Sequence, residues 1–245
     1  MTLAACAALV ERGDPDRFLA AMAAPAGARA VLLPLYAYNL ELARAPWLTA
    51  EPLIAEMRLQ WWRDGLAEVA AGRPARAHEV MEPLAGAIAA GAPVGVLDAM
   101  AEARRRDVHR EGFVDAGALW DYLDATGGGL MWAAVRALGG QDEAGARAMG
   151  RAGAMAAWLM AVPALAGRGW EPLPAGTDPG VLAREALAMI APARGPGVPA
   201  LRAAWRAGAI LQQAAAEPGR VRQGQLGTSE FRRRASLLWR VWRGV

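Results

Sequence analysis

Apolar positions along this chain recur at intervals of three and four residues, period-two alternation is absent and β-branched residues are few. That pattern predicts helices almost throughout. Alanine, leucine, arginine and glutamate, all strong helix formers, dominate the periodic stretches. Proline and glycine punctuate them at Gly13 to Pro15, Pro46, Gly72 to Pro74, Gly91 to Pro93, Gly139-Gly140, Gly169 to Gly180 and Gly195 to Pro199. About nine or ten helices are expected between these breaks. In the stretch Thr49 to Ala71, Thr49 is placed to cap, Glu51-Pro52 falls in the first turn, and Leu53, Met57 and Trp61 recur every four residues. This spacing predicts an inward face of Leu53, Met57 and Trp61, with Trp62 about 100° round on the flank. Asp98 through Arg110, Asp115 through Leu138 and Asp142 through Ala166 each read as one helix, and the Pro- and Gly-rich Trp170 to Gly180 stretch reads as a rim loop.

Composition narrows the class. The chain has 245 residues, 55% hydrophobic and 21% charged, which is enough for a sizeable core, and neither a repeat nor a linker divides it. Residues 1–245 are therefore expected to form one all-α domain. The net charge is only +3 and every Lys/Arg position is arginine, so the balance does not point to nucleic acid. A single cysteine, Cys6, excludes an internal disulfide, and without a Cys/His cluster no structural zinc site is expected. These features fit a reducing, cytoplasmic compartment. Arg151 to Arg168 is the longest apolar run, and Pro163 is expected to interrupt it, so no membrane span is predicted. Leu3-Ala4-Ala5-Cys6 reads as a helix start rather than a lipoprotein box, since Glu11 and Arg12 follow at once.

Four short segments follow one another: Asp16-Arg17-Phe18; Pro34-Leu35-Tyr36-Ala37-Tyr38-Asn39; Ala103-Arg104-Arg105-Arg106-Asp107 with Leu119-Trp120-Asp121-Tyr122; and Trp170-Glu171-Pro172-Leu173-Pro174. As an ordered set they resemble the squalene/phytoene synthase family, the all-helical head-to-head prenyltransferases. The resemblance implies an isoprenoid-synthase-type helical bundle. In that family two aspartate-rich motifs on facing helices hold the magnesium ions that clamp a diphosphate. Laid on this chain from Tyr36, the first motif's arginine falls on Leu40 and its aspartates on Ala43, Arg44 and Trp47. Counted back from Leu173-Pro174, the second falls on Ala154, Ala157, Met160, Ala161, Ala164 and Leu165, and Ala152 to Gly167 contains no carboxylate. Nothing in either motif offsets the charge of magnesium diphosphate, so neither a metal nor a cofactor is expected.

The strings Leu35-Tyr36-Ala37-Tyr38-Asn39-Leu40-Glu41-Leu42-Ala43 and Glu56-Met57-Arg58-Leu59-Gln60-Trp61-Trp62-Arg63-Asp64 are similar to a non-catalytic branch of the family. That branch includes the mitochondrial assembly factor for respiratory complex I and its bacterial relatives. The resemblance implies a partner among complex I subunits or assembly intermediates, and a role at the inner face of a membrane. An active prenyltransferase and a non-catalytic isoprenoid-binding module stay open as alternatives.

Individual residues carry two readings each. Arg58, Gln60, Trp61, Trp62 and Asp64 form a docking surface or a packed helix with Gln60 bonded to Asp64 one turn on. The arginine run with Arg106 and Asp107 lines an old cavity or forms a solvated helix face, Asp107 pairing with Arg106 or a neighbouring helix. Tyr36 and Tyr122 match family positions inside the bundle, where a phenol needs a partner, and Asn39 and Glu41 are further candidates for lining a cavity or binding a partner. His78 and His109 read as surface residues, and Gly127-Gly128-Gly129 as close helix packing or a kink rather than a phosphate loop. The run from Phe231 to Arg243, capped by Thr228 or Ser229, is basic with interspersed Leu and Trp. It suits peripheral contact with an anionic membrane or docking onto the bundle.

Overall fold

The computed structural model describes residues 3–227, 229, 237–239 and 241–242, and no strand occurs among them. The first half contains α1 (Leu3–Gly13), α2 (Pro15–Met22), α3 (Ala26–Arg44), α4 (Pro52–Ala70), α5 (Met81–Ala89), α6 (Val94–Ala103) and the short α7 (Arg105–His109). Then come α8 (Ala116–Leu123), a π-helical segment (Asp124–Gly128), α9 (Gly129–Ala137), α10 (Glu143–Ala166), α11 (Pro179–Ala188), α12 (Val198–Leu201), α13 (Ala207–Ala216) and α14 (Gly219–Arg222). Aspartates cap several starts: Asp115 accepts from the Ala118 amide at 2.8 Å and Asp142 from that of Gly145 at 2.9 Å. Each satisfies an amide that the helix leaves without a partner.

Two core regions meet along the middle of the molecule. α3 is buried on all sides from Leu32 to Leu40, Leu35 and Tyr38 included, and packs against α1, α5 and α9. A helix of that kind belongs in the centre. α10 plays the same part in the second region, placing Met155, Trp158, Leu159 and Val162 against α11 and α13. Among the described residues α10 is the one helix long and apolar enough, by length and composition, to cross a membrane. Pro163 lies inside it and the helix runs on to Ala166, the end that the Asp142 to Ala166 pattern predicts. A proline one turn from a helix C-terminus disturbs little of the hydrogen-bond ladder beyond it.

Two further helices depart from their sequence reading. Asp98 to Arg110 is split by a turn at Arg104, and α4 begins at Pro52, three residues after Thr49. Thr49 caps nothing in α4 itself; its hydroxyl accepts from the Glu51 amide at 3.0 Å. Asp115 to Leu138 is continuous but carries the π-helical segment at the glycine triplet. There the chain comes against α10 with backbone on backbone. A Cβ added at Gly150 would stand 2.5 Å from the Gly127 carbonyl oxygen and 2.7 Å from Met131 Cβ. Gly150→Ala is therefore expected to cost about 1–3 kcal/mol by overpacking. Gly86→Ala, on α5 with nothing within 4 Å of the new methyl, should instead gain up to about 1 kcal/mol from helix propensity. Denaturant midpoints of the two variants check the contrast.

Candidate functional site

A narrow cleft of about 100 Å³ opens between α2, α3, α10 and α13. Its walls are small or apolar, with Gly127, Gly153, Ala156 and Met160 among them, and Tyr36 stands at its base. The phenol is 2% exposed, and its hydroxyl has no hydrogen-bond partner among the described residues. Burial pushes its pKa well above the usual tyrosine value, against the pull of nearby Arg17. At the mouth Arg17 pairs with Asp14 and Arg206 with Asp16. The Arg17 guanidinium lies 5.9 Å from the centre of the Tyr36 ring. Of this mouth, the sequence reading flagged the Asp16-Arg17-Phe18 string and missed Arg206, which reaches it from nearly two hundred residues along the chain. Asn39, one turn beyond Tyr36, is buried, while Glu41 is half-exposed and pairs with Arg44 at 3.5 Å.

Further along α3 stand Ala43 and Arg44, followed by Trp47. The Trp47 ring has the Arg168 guanidinium 4.8 Å and that of Arg110 5.7 Å from its centre, and Trp170 lies 6.4 Å away. No group of three or more His, Cys, Asp or Glu able to hold a metal occurs among the described residues. The Trp170 to Pro174 stretch is less peripheral than a rim loop. Trp170 and Leu173 are buried, and the Trp158 indole donates to the Pro172 carbonyl at 2.9 Å.

A second feature lies on the other side of α3. The α4 face turned to the core consists of Ala55, Leu59, Trp62, Gly65 and Leu66. Leu53 and Met57, expected inside, are 68% and 63% exposed, and Trp62, expected on the flank, is 4% exposed. The four-residue series chosen from the sequence was the wrong one of two available, since 55, 59, 62 and 66 also fit one helix face. Trp62 meets Tyr38 at 5.3 Å, Trp61 at 5.0 Å and His78 at 5.0 Å, each edge-on. His78, expected on the surface, is thus half-buried in an aromatic cluster.

Outside that cluster runs a groove of about 450 Å³ lined by Leu48, Ile54, Met57, Arg58, Trp61 and His78. Arg76 fixes the wall: it donates to the Trp61 carbonyl at 2.9 Å, makes two bonds to Glu68, and sits 5.2 Å from the Trp61 ring centre. The candidate block on α4 is therefore divided. Arg58 and Trp61 line the groove together with Glu41 of α3, Trp62 is buried in the core behind it and also lines it, and Gln60 and Asp64 bond to each other at 2.8 Å while Gln60 accepts from Arg105 of α7.

The third cluster corrects the reading of the arginine run. Arg104 is not on a solvated face; the turn between α6 and α7 directs it inward, where it donates to Asp107 Oδ2 at 3.0 Å and to the Tyr122 hydroxyl at 2.7 Å. Tyr122 in turn donates to Asp107 at 2.8 Å. Asp107 is 4% exposed and has Arg104, not Arg106, as its partner. Burial raises its carboxyl above the usual aspartate value despite the opposing pull of Arg104 and the Tyr122 hydroxyl. Arg106 instead donates to the Gly112 carbonyl at 2.9 Å and covers the Phe113 ring at 4.9 Å. His109 is exposed, its Nε2 2.8 Å from Glu56.

The family model described as squalene/phytoene synthase matches residues 10–239. Among solved structures, a dehydrosqualene synthase in complex with ligand superposes with a TM-score of 0.73 at 15% identity, over 99% of this chain and 95% of that one. Squalene synthase HpnC from Alicyclobacillus acidocaldarius gives a TM-score of 0.62 at 17% identity, over 99% of this chain and 94% of that one. At such identities the likeness speaks for the fold alone. No curated protein matches.

Proposed function

We propose, since this chain belongs to the squalene/phytoene synthase family, that it is a member without prenyl-transfer activity that serves as a protein-binding factor in assembly of respiratory complex I. The observation that carries this reading is what stands at the family's metal-binding positions. At the end of α3 and just beyond it these hold Ala43, Arg44 and Trp47, and on α10 alanine, methionine and leucine. Magnesium requires hard oxygen ligands, and a tryptophan ring flanked by two guanidinium groups supplies none. The residues present do not fit a magnesium-bridged diphosphate.

The cleft supports the same reading. Pockets for drug-sized ligands measure roughly 300–1,000 Å³, so about 100 Å³ beside Tyr36 is too small for two isoprenoid chains. The α4 groove is larger and has the composition of a binding surface. Aromatic, methionine and arginine side chains are enriched at interface centres, and Trp61, Met57 and Arg58 supply one of each beside Ile54 and Leu48. The link to complex I rests on the resemblance of the α3 and α4 strings to that branch of the family.

Two measurements test the proposal. Incubation with farnesyl or geranylgeranyl diphosphate and magnesium should release no diphosphate and give no product; turnover would overturn it. In a strain lacking the gene, complex I activity should fall and return with the wild-type chain but not with Met57→Glu. A charge placed at the groove centre is expected to weaken the partner at least thirtyfold, as for a central interface residue. Full complex I activity without the gene would equally overturn the assembly role.

A further inference from the structure

The exposed apolar side chains around the start of α4 form a group rather than scattered single residues. Leu48, Ile54 and Met57 line the α4 groove, and Leu53 stands one turn before Met57 on the same helix. A contiguous apolar group of this kind marks an interaction site. Its shape selects what can enter. Arg76, tied to Glu68 and to the Trp61 carbonyl, holds the wall in place, so the group lines a recess that receives side chains and does not project into a bilayer.

Charge selects the occupant further. Arg58, in the groove wall, is exposed and makes no hydrogen bond, ion pair or ring contact among the described residues. The Glu41 carboxylate in the same wall is answered by Arg44 at 3.5 Å. Two more guanidinium groups stand round the corner. Ala45 and Leu48 line the groove from the tight helical turn Ala45–Trp47 and the residue after it, and the Trp47 ring on that turn carries Arg110 and Arg168. Neither arginine has a carboxylate within 4 Å among the described residues, and Glu111 beside Arg110 lies 3.9 Å from Arg106 instead. Arg110 has φ of 52°, the left-handed conformation in which a helix end ordinarily carries glycine. The chain thus accepts backbone strain where arginine adds a cation over Trp47, and that side chain donates to the Arg168 carbonyl at 3.2 Å. Three uncompensated cations beside an apolar recess are complementary to a surface both apolar and acidic. A second copy of this chain, paired about a two-fold axis, would set the same arginines against each other. The basic C-terminal run does not enter this balance: most of Phe231 to Arg243 and its cap Thr228 lie outside the described residues.

We propose that the α4 groove and the Trp47 patch beside it form one docking surface for an acidic amphipathic segment of a partner protein. Apolar side chains of that segment enter the recess between Ile54, Met57 and Trp61, and its carboxylates meet Arg58, Arg110 and Arg168. The proposal rests on the reading of the groove as a protein-binding surface and adds the chemistry of what enters it.

Photocrosslinking of the full chain in cells tests it, with benzoylphenylalanine in place of the exposed Leu53 and mass spectrometry of the captured peptide. That peptide should be apolar and net acidic. Arg58→Glu with Arg168→Glu should lower its yield roughly tenfold or more, because like charges then face each other across the interface. Arg58→Lys with Arg168→Lys should restore most of it. Both double variants should melt with the wild type, since the two side chains are exposed, which separates lost docking from lost folding. A basic or uncharged peptide, a lipid adduct, a second copy of this chain, no adduct, or a yield indifferent to the charge reversal would each overturn the proposal. Capture of an acidic segment from a protein outside complex I would support it while counting against the assembly role, and capture of a basic segment of a complex I subunit would do the reverse.

Discussion

Asp107→Ala is expected to destabilise the fold by about 3–5 kcal/mol, the cost of leaving a buried charge without its partner. The uncompensated group is Arg104, which keeps only the Tyr122 hydroxyl as partner once the carboxylate is gone. Removing the charges together is a different matter: Arg104→Met with Asp107→Leu should recover most of the loss, because a well-packed apolar pair is often as stable as a buried ion pair. Tyr122→Phe, which removes a donor to Asp107, should cost about 1–3 kcal/mol. Chemical denaturation of the four proteins checks the order. A double variant that recovers none of the loss would show that Arg104 and Asp107 do not act as a pair.

The pH dependence has a definite sign. Burial holds the Asp107 carboxyl above its ordinary value of 3.8 in the folded protein. The folded state then binds the proton more tightly than the unfolded one, and stability falls as pH rises between the two values. The gap between wild type and Asp107→Ala should accordingly narrow as pH rises from 3.8 through the folded value. Were the Arg104 attraction dominant over burial, the gap would widen instead.

The second large effect is at Trp62. Trp62→Ala should cost about 3–5 kcal/mol, since it empties a large buried site in contact with Tyr38, Trp61 and His78. Met57→Ala and Leu53→Ala, at 63% and 68% exposure, should each stay within about 0.5 kcal/mol. Thermal unfolding of the three variants checks this, and a larger loss at Met57 than at Trp62 would reverse the orientation of α4. Partner binding should respond the other way, with Met57 sensitive and the fold indifferent.

These two sites also show where sequence reading stops. The α4 helix itself was legible, with Pro52 in its first turn. Its rotation was not, because Leu53, Met57 and Trp61 are as regularly spaced as Ala55, Leu59, Trp62 and Leu66, and bulk favoured the wrong set. Small residues on the true inner face, Ala55 and Gly65 among them, gave little hydrophobic signal while allowing close approach to the rest of the bundle. At Arg104 the local pattern of three consecutive arginines suggests a solvated face. A single turn between α6 and α7 sends one of them inward to a carboxylate three residues on and a phenol eighteen residues on.

The sequence by itself determined the helical class, the family and the bounds of α10, because periodicity, proline and glycine breaks and aspartate caps act within a few residues of one another; the nine or ten helices it suggested are fourteen among the described residues. It also determined that residues 152–167 hold no Asp or Glu and that Ala43, Arg44 and Trp47 stand where they do, which is a matter of residue identity alone. The tertiary structure decided which face of α4 is buried, that His78 belongs to the tryptophan cluster, that Asp107 answers Arg104, and that Arg206 joins Asp16 and Tyr36 in lining one cleft. Each of those depends on how helices rotate and dock against partners distant in the chain. Packing free energy sets that choice, and it has no counterpart in local sequence order.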